Sequence, residues 1–286
     1  MIESRGEAGE HRRPRRGLYV LPSIFTGGNI ALGFYAITQS MHASATDYAS
    51  FDRAAIAIAF ALPFDALDGR IARMTNTESD FGRELDSLAD VITFGVAPAI
   101  LAYTWGFRML PEPATHHHLH HRLIALGLVA AFLFLICGAC RLARFNVTAN
   151  PKPSNPGRPG RRYFVGMPIP AAAGVIASVV HCFNGSPIYD PWISLVWLCL
   201  LLFTGFLMVS RWRFWSGKEI TLVDKQPVRM LVLLVVMGIL LEEFSEYLLI
   251  TMALAYMVSG LGARLLYAAQ SRRARRLGTP LPNTTA

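Results

Sequence analysis

The sequence predicts an all-α, polytopic bundle of about eight transmembrane helices with both termini in the cytoplasm. Composition, apolar runs and the placement of arginines all lead there. Of 286 residues, 53% are hydrophobic and 16% are charged, where a soluble domain carries nearer a quarter charged residues. Mean hydropathy is +0.37. Apolar runs occupy approximately 20–41, 51–74, 83–106, 122–144, 163–183, 191–210, 228–243 and 246–268. Glu242, Glu243 and Glu246 interrupt the last two runs, which suits a tight outer hairpin.

Arginine and lysine fall in alternate connections. Arg5, Arg12, Arg13, Arg15 and Arg16 precede the first run; Arg70, Arg73 and Arg83 surround the second connection. Arg141, Arg144, Lys152, Arg158, Arg161 and Arg162 follow the fourth run. Arg211, Arg213, Lys218, Lys225 and Arg229 follow the sixth, and Arg272, Arg273, Arg275 and Arg276 the last. The opposite connections hold only Arg53, Arg108 and Arg122. Cytoplasmic loops are the basic ones. The net charge of +8 is therefore topological, and no nucleic-acid partner is expected, because no basic and aromatic interleave accompanies it.

The resulting organisation is a basic N-terminal segment (1–19), a six-span core (20–210), two further spans (211–268) and a basic tail (269–286) that suits anionic lipid. Residues 148–162, rich in proline and glycine, form an irregular loop. No cleavable signal peptide is read in residues 1–16, which are polar and arginine-rich. Cys137 and Cys140 have redox or zinc spacing, but no second pair accompanies them, so they read as packing thiols. The His116–His121 run reads as a solvated outer loop. Trp192, Trp197, Trp212 and Trp215 read as interfacial anchors.

Four aspartates within 26 residues are the chemical signal: Asp65 and Asp68 on the second run, Asp86 and Asp90 on the third. Each carboxylate at the bilayer centre costs about 2.5–3.5 kcal/mol. Four facing lipid would be prohibitive, so they face one another, a metal and water. Spacings of three and four put each pair on one helix face. Gly69, Ala72 and Gly82 keep side chains small beside them, so the helices approach closely. Four hard oxygen donors suit Mg²⁺ or Mn²⁺, with Ca²⁺ also admissible, and two ions balance four charges. Such a clamp serves phosphoryl displacement, and Arg73 can neutralise residual phosphate charge. A cation-transport pathway is the other reading of the same acids.

The run Asp68-Gly69-x2-Ala72-Arg73-x8-Gly82-x3-Asp86-x3-Asp90, extended by Asp65, resembles the signature of the CDP-alcohol phosphotransferases at every fixed position. Leu21-Pro22-Ser23 through Gly28-Asn29 and Gly33, Glu84 to Asp90, Phe94 to Pro98, Arg141 to Asn146 and Phe164 to Ala171 resemble the membrane-spanning phosphatidylserine synthase branch of that family. The resemblance covers about 20–175. It implies phosphatidyl transfer from CDP-diacylglycerol to L-serine, releasing CMP, in an integral membrane protein with its active site at the cytoplasmic face. It implies Asp65, Asp68, Asp86 and Asp90 as metal ligands, with Asp90 also the general base. It implies Gly69, Ala72, Arg73 and Gly82 at the cytidine diphosphate, and a homodimer; Asn29 on the first run is expected at the nucleotide or at a metal-bound water, with a helix–helix hydrogen bond as the equal alternative. Serine's carboxylate needs a cation, and Arg141 or Arg144, with Asn146 nearby, is expected to hold it. Glycerol 3-phosphate, inositol phosphate or choline remain alternative acceptors.

Overall fold

The computed structural model describes residues 20–44, 46–74, 80–111, 117–149, 163–215, 247–260 and 262. Helices run Val20–His42 (α1), Ala49–Met74 (α2), Asp80–Asp90 (α3), Ala97–Tyr103 (α4), His117–Ala149 (α5), Ile169–Cys182 (α6), Pro191–Val209 (α7) and Tyr247–Gly260 (α8). A wider π turn at Val91–Val96 joins α3 and α4 into one rod, and a second at Thr104–Arg108 extends it past α4. Among the described residues, three stretches are long and apolar enough to cross a membrane: Phe81–Arg108, His120–Val147 and Pro191–Val209. The expected 228–243 span lies outside the described residues.

α2 packs along α1 and α6, while α5 packs along α7. The buried faces of α2 and α6 are rich in alanine, including Ala54, Ala55, Ala61, Ala172 and Ala173. Small side chains let backbones approach where lipid supplies no hydrophobic drive between helices. At one end of the bundle polar groups tie the elements together. His181 Nδ1 lies 2.5 Å from Asp52 Oδ1. Trp105 Nε1 donates to the Ser186 carbonyl at 2.8 Å. Thirteen residues of α2 separate Asp52 from Asp65, about 20 Å of helix, so this fastening stands at the far end from the acids.

Three expectations change here. A continuous span over 163–183 is replaced by a strand and a shorter helix. Pro168 holds φ −59° and ψ 142°, and α6 starts only at Ile169; an extended residue before the helix is what a Pro-x-Pro run favours. Ahead of it, Tyr163–Val165 (β1) pairs antiparallel with Arg213–Trp215 (β2). Trp197 is no interfacial anchor. It is 3% exposed, donates to the Ala102 carbonyl at 3.0 Å and meets Trp105 edge-on at 5.0 Å. Trp192 is exposed and Trp212 packs edge-on against Phe206. The histidine run is not wholly loop: α5 begins at His117, and half-buried His120 bonds the Leu110 carbonyl through Nε2 at 3.0 Å.

Candidate active site

Asp65 stands on α2, two residues after Pro63. Proline has no N–H for the carbonyl of Ala59, so the helix ladder is interrupted one turn ahead of the first acid. Asp86 and Asp90 stand one turn apart on α3, and the π turn begins at the next residue, Val91. A missing ladder bond on α2 and a π turn after α3 thus stand beside the acids, and π insertions are frequent at functional sites.

One carboxylate oxygen from each of Asp65, Asp86 and Asp90 lies within 4.8 Å of the others. At that separation two ionised groups repel by roughly 3.5 kcal/mol at an effective dielectric of about 20. Three such pairs sum to about 10 kcal/mol, comparable with a whole domain's stability. Asp90 Oδ1 is buried and has no hydrogen-bond partner. Clustered hard oxygens with an unsatisfied buried acceptor fit a divalent cation. The side chains of Asp68, Ala72 and Arg73 lie outside what the structure describes, although their backbone and that of Gly69 continue α2. Gly82 is half-buried on α3, one turn before Asp86.

α1 supplies Asn29, 1% exposed. Its side-chain Oδ1 and Nδ2 are both buried without a hydrogen-bond partner. Its carbonyl is satisfied by Thr93 Oγ1, which donates at 2.9 Å from the π turn. A Cβ on Gly33 would lie 2.9 Å from Thr93 Cα, so glycine there is what lets α1 press against this turn.

The cationic residues separate by role. Arg141 on α5 is 7% exposed, with its guanidinium 5.4 Å from the Phe145 ring centroid. Asp90, Tyr256 and Arg144 are among its charged or polar electrostatic neighbours. Arg144 is tied to backbone: Nη1 donates to the Val209 carbonyl at 3.3 Å. Its Nη2 donates to Val165 at 3.2 Å and to Ser210 at 3.5 Å. Gly166 makes that clamp possible, since its φ is +80° and a Cβ there would lie 3.0 Å from Arg144 Nη2. Asn146 Nδ2 donates to Ser87 Oγ at 2.7 Å, bracing α5 on α3. The geometry therefore gathers Asp65, Asp86, Asp90 and Arg141, and gives Arg144 and Asn146 structural partners.

The CDP-alcohol phosphatidyltransferase family model matches residues 19–204. The chain belongs to this family. A CDP-diacylglycerol–serine O-phosphatidyltransferase of Helicobacter pylori (strain ATCC 700392 / 26695) is 37% identical over 207 residues, 72% of this chain and 76% of that protein. The Bacillus subtilis (strain 168) protein of the same name is 34% identical over 194 residues, covering 68% of this chain and 89% of its own length. In Saccharomyces cerevisiae (strain ATCC 204508 / S288c) a protein of that name is 35% identical over 159 residues, 55% of this chain and 52% of the relative. The acid cluster and Arg141 both fall inside the family span.

Two contributors escaped the reading of the sequence. Thr93 is one of many threonines in apolar runs, but its place three residues after Asp90 was a usable signal. Tyr256 lies beyond the family span, on α8, and nothing in its local sequence ties it to Arg141.

Proposed function

We propose that this chain transfers the phosphatidyl group of CDP-diacylglycerol to the hydroxyl of L-serine, releasing CMP. The observation that carries the reading is a buried arginine, Arg141, beside three converging carboxylates. Serine brings an alcohol for the displacement and a carboxylate that four aspartates would repel. A forked guanidinium next to the acids answers the second need. The names of the relatives above support the same acceptor.

Asp65, Asp86 and Asp90 are the residues that hold divalent metal, with Asp68 joining them on sequence spacing. Two ions, Mg²⁺ or Mn²⁺, supply charge neutralisation at the diphosphate when bound. Asp90 takes the proton of the serine hydroxyl. The freed oxygen bonds to the phosphorus that carries diacylglycerol. The bond from that phosphorus to the bridging oxygen breaks, and its electron pair leaves with CMP. Arg73 offsets charge on the departing phosphate. Gly69, Ala72 and Gly82 give the cytidine diphosphate room, and Asn29 offers it an amide otherwise without partners.

The protein is read as multi-pass, with eight spans, both termini and the acid cluster at the cytoplasmic face, working as a homodimer. Helices at seven of the eight expected positions and the arginine asymmetry support this topology. Protease access to tags at each end, in sealed vesicles of known orientation, tests it: both tags cut from the same side is expected. The function itself is tested by supplying purified protein and CDP-diacylglycerol with serine, glycerol 3-phosphate, inositol phosphate or choline in turn. Phosphatidylserine, identified by mass, is the expected product. Another lipid in its place refutes serine as acceptor.

A further inference from the structure

The roll of α3 about its own axis decides where Asp86 and Asp90 point, and α4 does not set it. The π turn at Val91–Val96 inserts an extra residue into the ladder, so the faces of α3 are out of register with those of α4. Packing on α1 and two cross-helix bonds set the roll instead. Thr93, three residues after Asp90, donates from Oγ1 to the Asn29 carbonyl of α1 at 2.9 Å. Ser87, three residues before Asp90, accepts at Oγ from Asn146 Nδ2 of α5 at 2.7 Å. Two hydroxyls therefore bracket Asp90, one fastened to α1 and the other to α5.

The Ser87 bond is directional. Ser87 Oγ donates to the Arg83 carbonyl at 3.0 Å, which orients the hydroxyl and leaves its lone pairs for the amide of Asn146. At about 100° per residue, Ser87 stands about 60° round the helix from Asp90 and about 100° from Asp86. It lies on the flank of the acid face and not within it. A bond that only tied the bundle together could stand anywhere along α3 and α5. This one stands beside Asp86 in the chain and one turn from Asp90.

We propose that Asn146 and Ser87 are positioning residues, their hydrogen bond holding the roll of α3 so that Asp86 and Asp90 converge with Asp65 on the divalent cation. A displacement of about 1 Å at a reacting group costs about a hundredfold in rate, so a bond that limits the roll acts on turnover without touching substrate. The inference rests on the metal reading of the acids above and not on the identity of the acceptor.

The test compares full-length wild type, Asn146→Ala, Ser87→Ala, the double variant, Ser87→Thr and Leu88→Ala in detergent micelles. Leu88 is next to Ser87 on α3 and 62% exposed, so Leu88→Ala controls for general effects on that helix. CMP release from CDP-diacylglycerol and serine at saturating Mg²⁺ gives kcat. Mn²⁺ titration followed by electron paramagnetic resonance, with CMP present, gives a readout independent of turnover. Each single alanine variant at Asn146 or Ser87 is expected to lose about tenfold in kcat and about tenfold in Mn²⁺ affinity, the upper end of what one neutral hydrogen bond supplies. Both KM values should stay near those of wild type. The double variant should be no worse than either single one, since the two changes remove the same bond. Ser87→Thr keeps the hydroxyl and should bind Mn²⁺ as wild type does, and so should Leu88→Ala. A merely structural bond would lower the melting temperature and leave Mn²⁺ affinity unchanged, and that result overturns the proposal. Losses that add in the double variant, or Ser87→Thr as weak as Ser87→Ala, overturn it too. Wild type that binds no Mn²⁺ refutes the metal reading and this inference with it. Wild type that releases CMP only with another acceptor refutes serine alone; the comparison is then run with that acceptor, and the same pattern of losses supports the inference.

Discussion

Asn29→Leu should make the substrate-free protein more stable and the enzyme worse. Leucine and asparagine share a skeleton branched at Cγ, so the change swaps two polar atoms for two methyl groups, each bulkier than the atom it replaces. Asn29 is 1% exposed and both its amide atoms lack partners. A buried polar group left unsatisfied costs about 1–3 kcal/mol, so relieving two of them returns about 4 kcal/mol, of which about 2 kcal/mol remains after the cost of seating the larger side chain. The helix crossing is preserved, because Thr93 bonds the carbonyl of Asn29 and not its side chain. At roughly 2–4 °C per kcal/mol for a chain of this class, the melting temperature should rise by about 4–8 °C. If the amide serves the nucleotide, as proposed, the gain reverses in function. Transition-state binding should lose the same order of energy, and kcat/KM for CDP-diacylglycerol should fall at least about tenfold. Scanning fluorimetry without substrate and CMP release under varied CDP-diacylglycerol measure the two effects. A lower melting temperature with unchanged kcat/KM would refute the reasoning, since it would mean the amide is satisfied within the fold and unused by substrate.

Chelation should abolish CMP release, and Mg²⁺ or Mn²⁺ should restore it; full turnover after EDTA treatment and gel filtration would rule out the assigned role of the aspartates. Asp90→Asn should fold with wild-type melting behaviour or better, because it removes a charge from a crowded trio, yet lose at least about a hundredfold in kcat. Retention of more than about a tenth of wild-type kcat would mean another group takes the proton. Gly166→Ala should destabilise by about 1–3 kcal/mol, seen as an earlier thermal midpoint, because alanine strains at φ +80° and crowds the Arg144 clamp. Arg144→Met should likewise act on stability more than on the KM for serine, by loss of three carbonyl contacts.

Much was legible before any fold. A helix carries its side chains at a fixed pitch, so spacings of three and four place Asp65 with Asp68 and Asp86 with Asp90 on shared faces without tertiary information. The penalty for charge in lipid then forces those faces inward. That Asp65, Asp86 and Asp90 converge follows from these two local facts. Apolar run length likewise locates helices, because it acts through the bilayer and not through specific contacts.

What the chain alone left open depends on which of two similar residues meets which neighbour. Arg141 and Arg144 share a helix, a charge and an expected role, and only packing separates them. One is buried within the electrostatic reach of Asp90, whereas the other is taken by the carbonyls of Val165, Val209 and Ser210, brought together by a ribbon whose strands lie about fifty residues apart. Trp197 has the sequence context of an interface residue and the surroundings of a core residue, because a glycine, Gly106, leaves the space its ring fills. Tyr256 stacks on Phe214 from about forty positions away. Local periodicity carries no information at that range, so long-range partners of this kind are set by the tertiary fold.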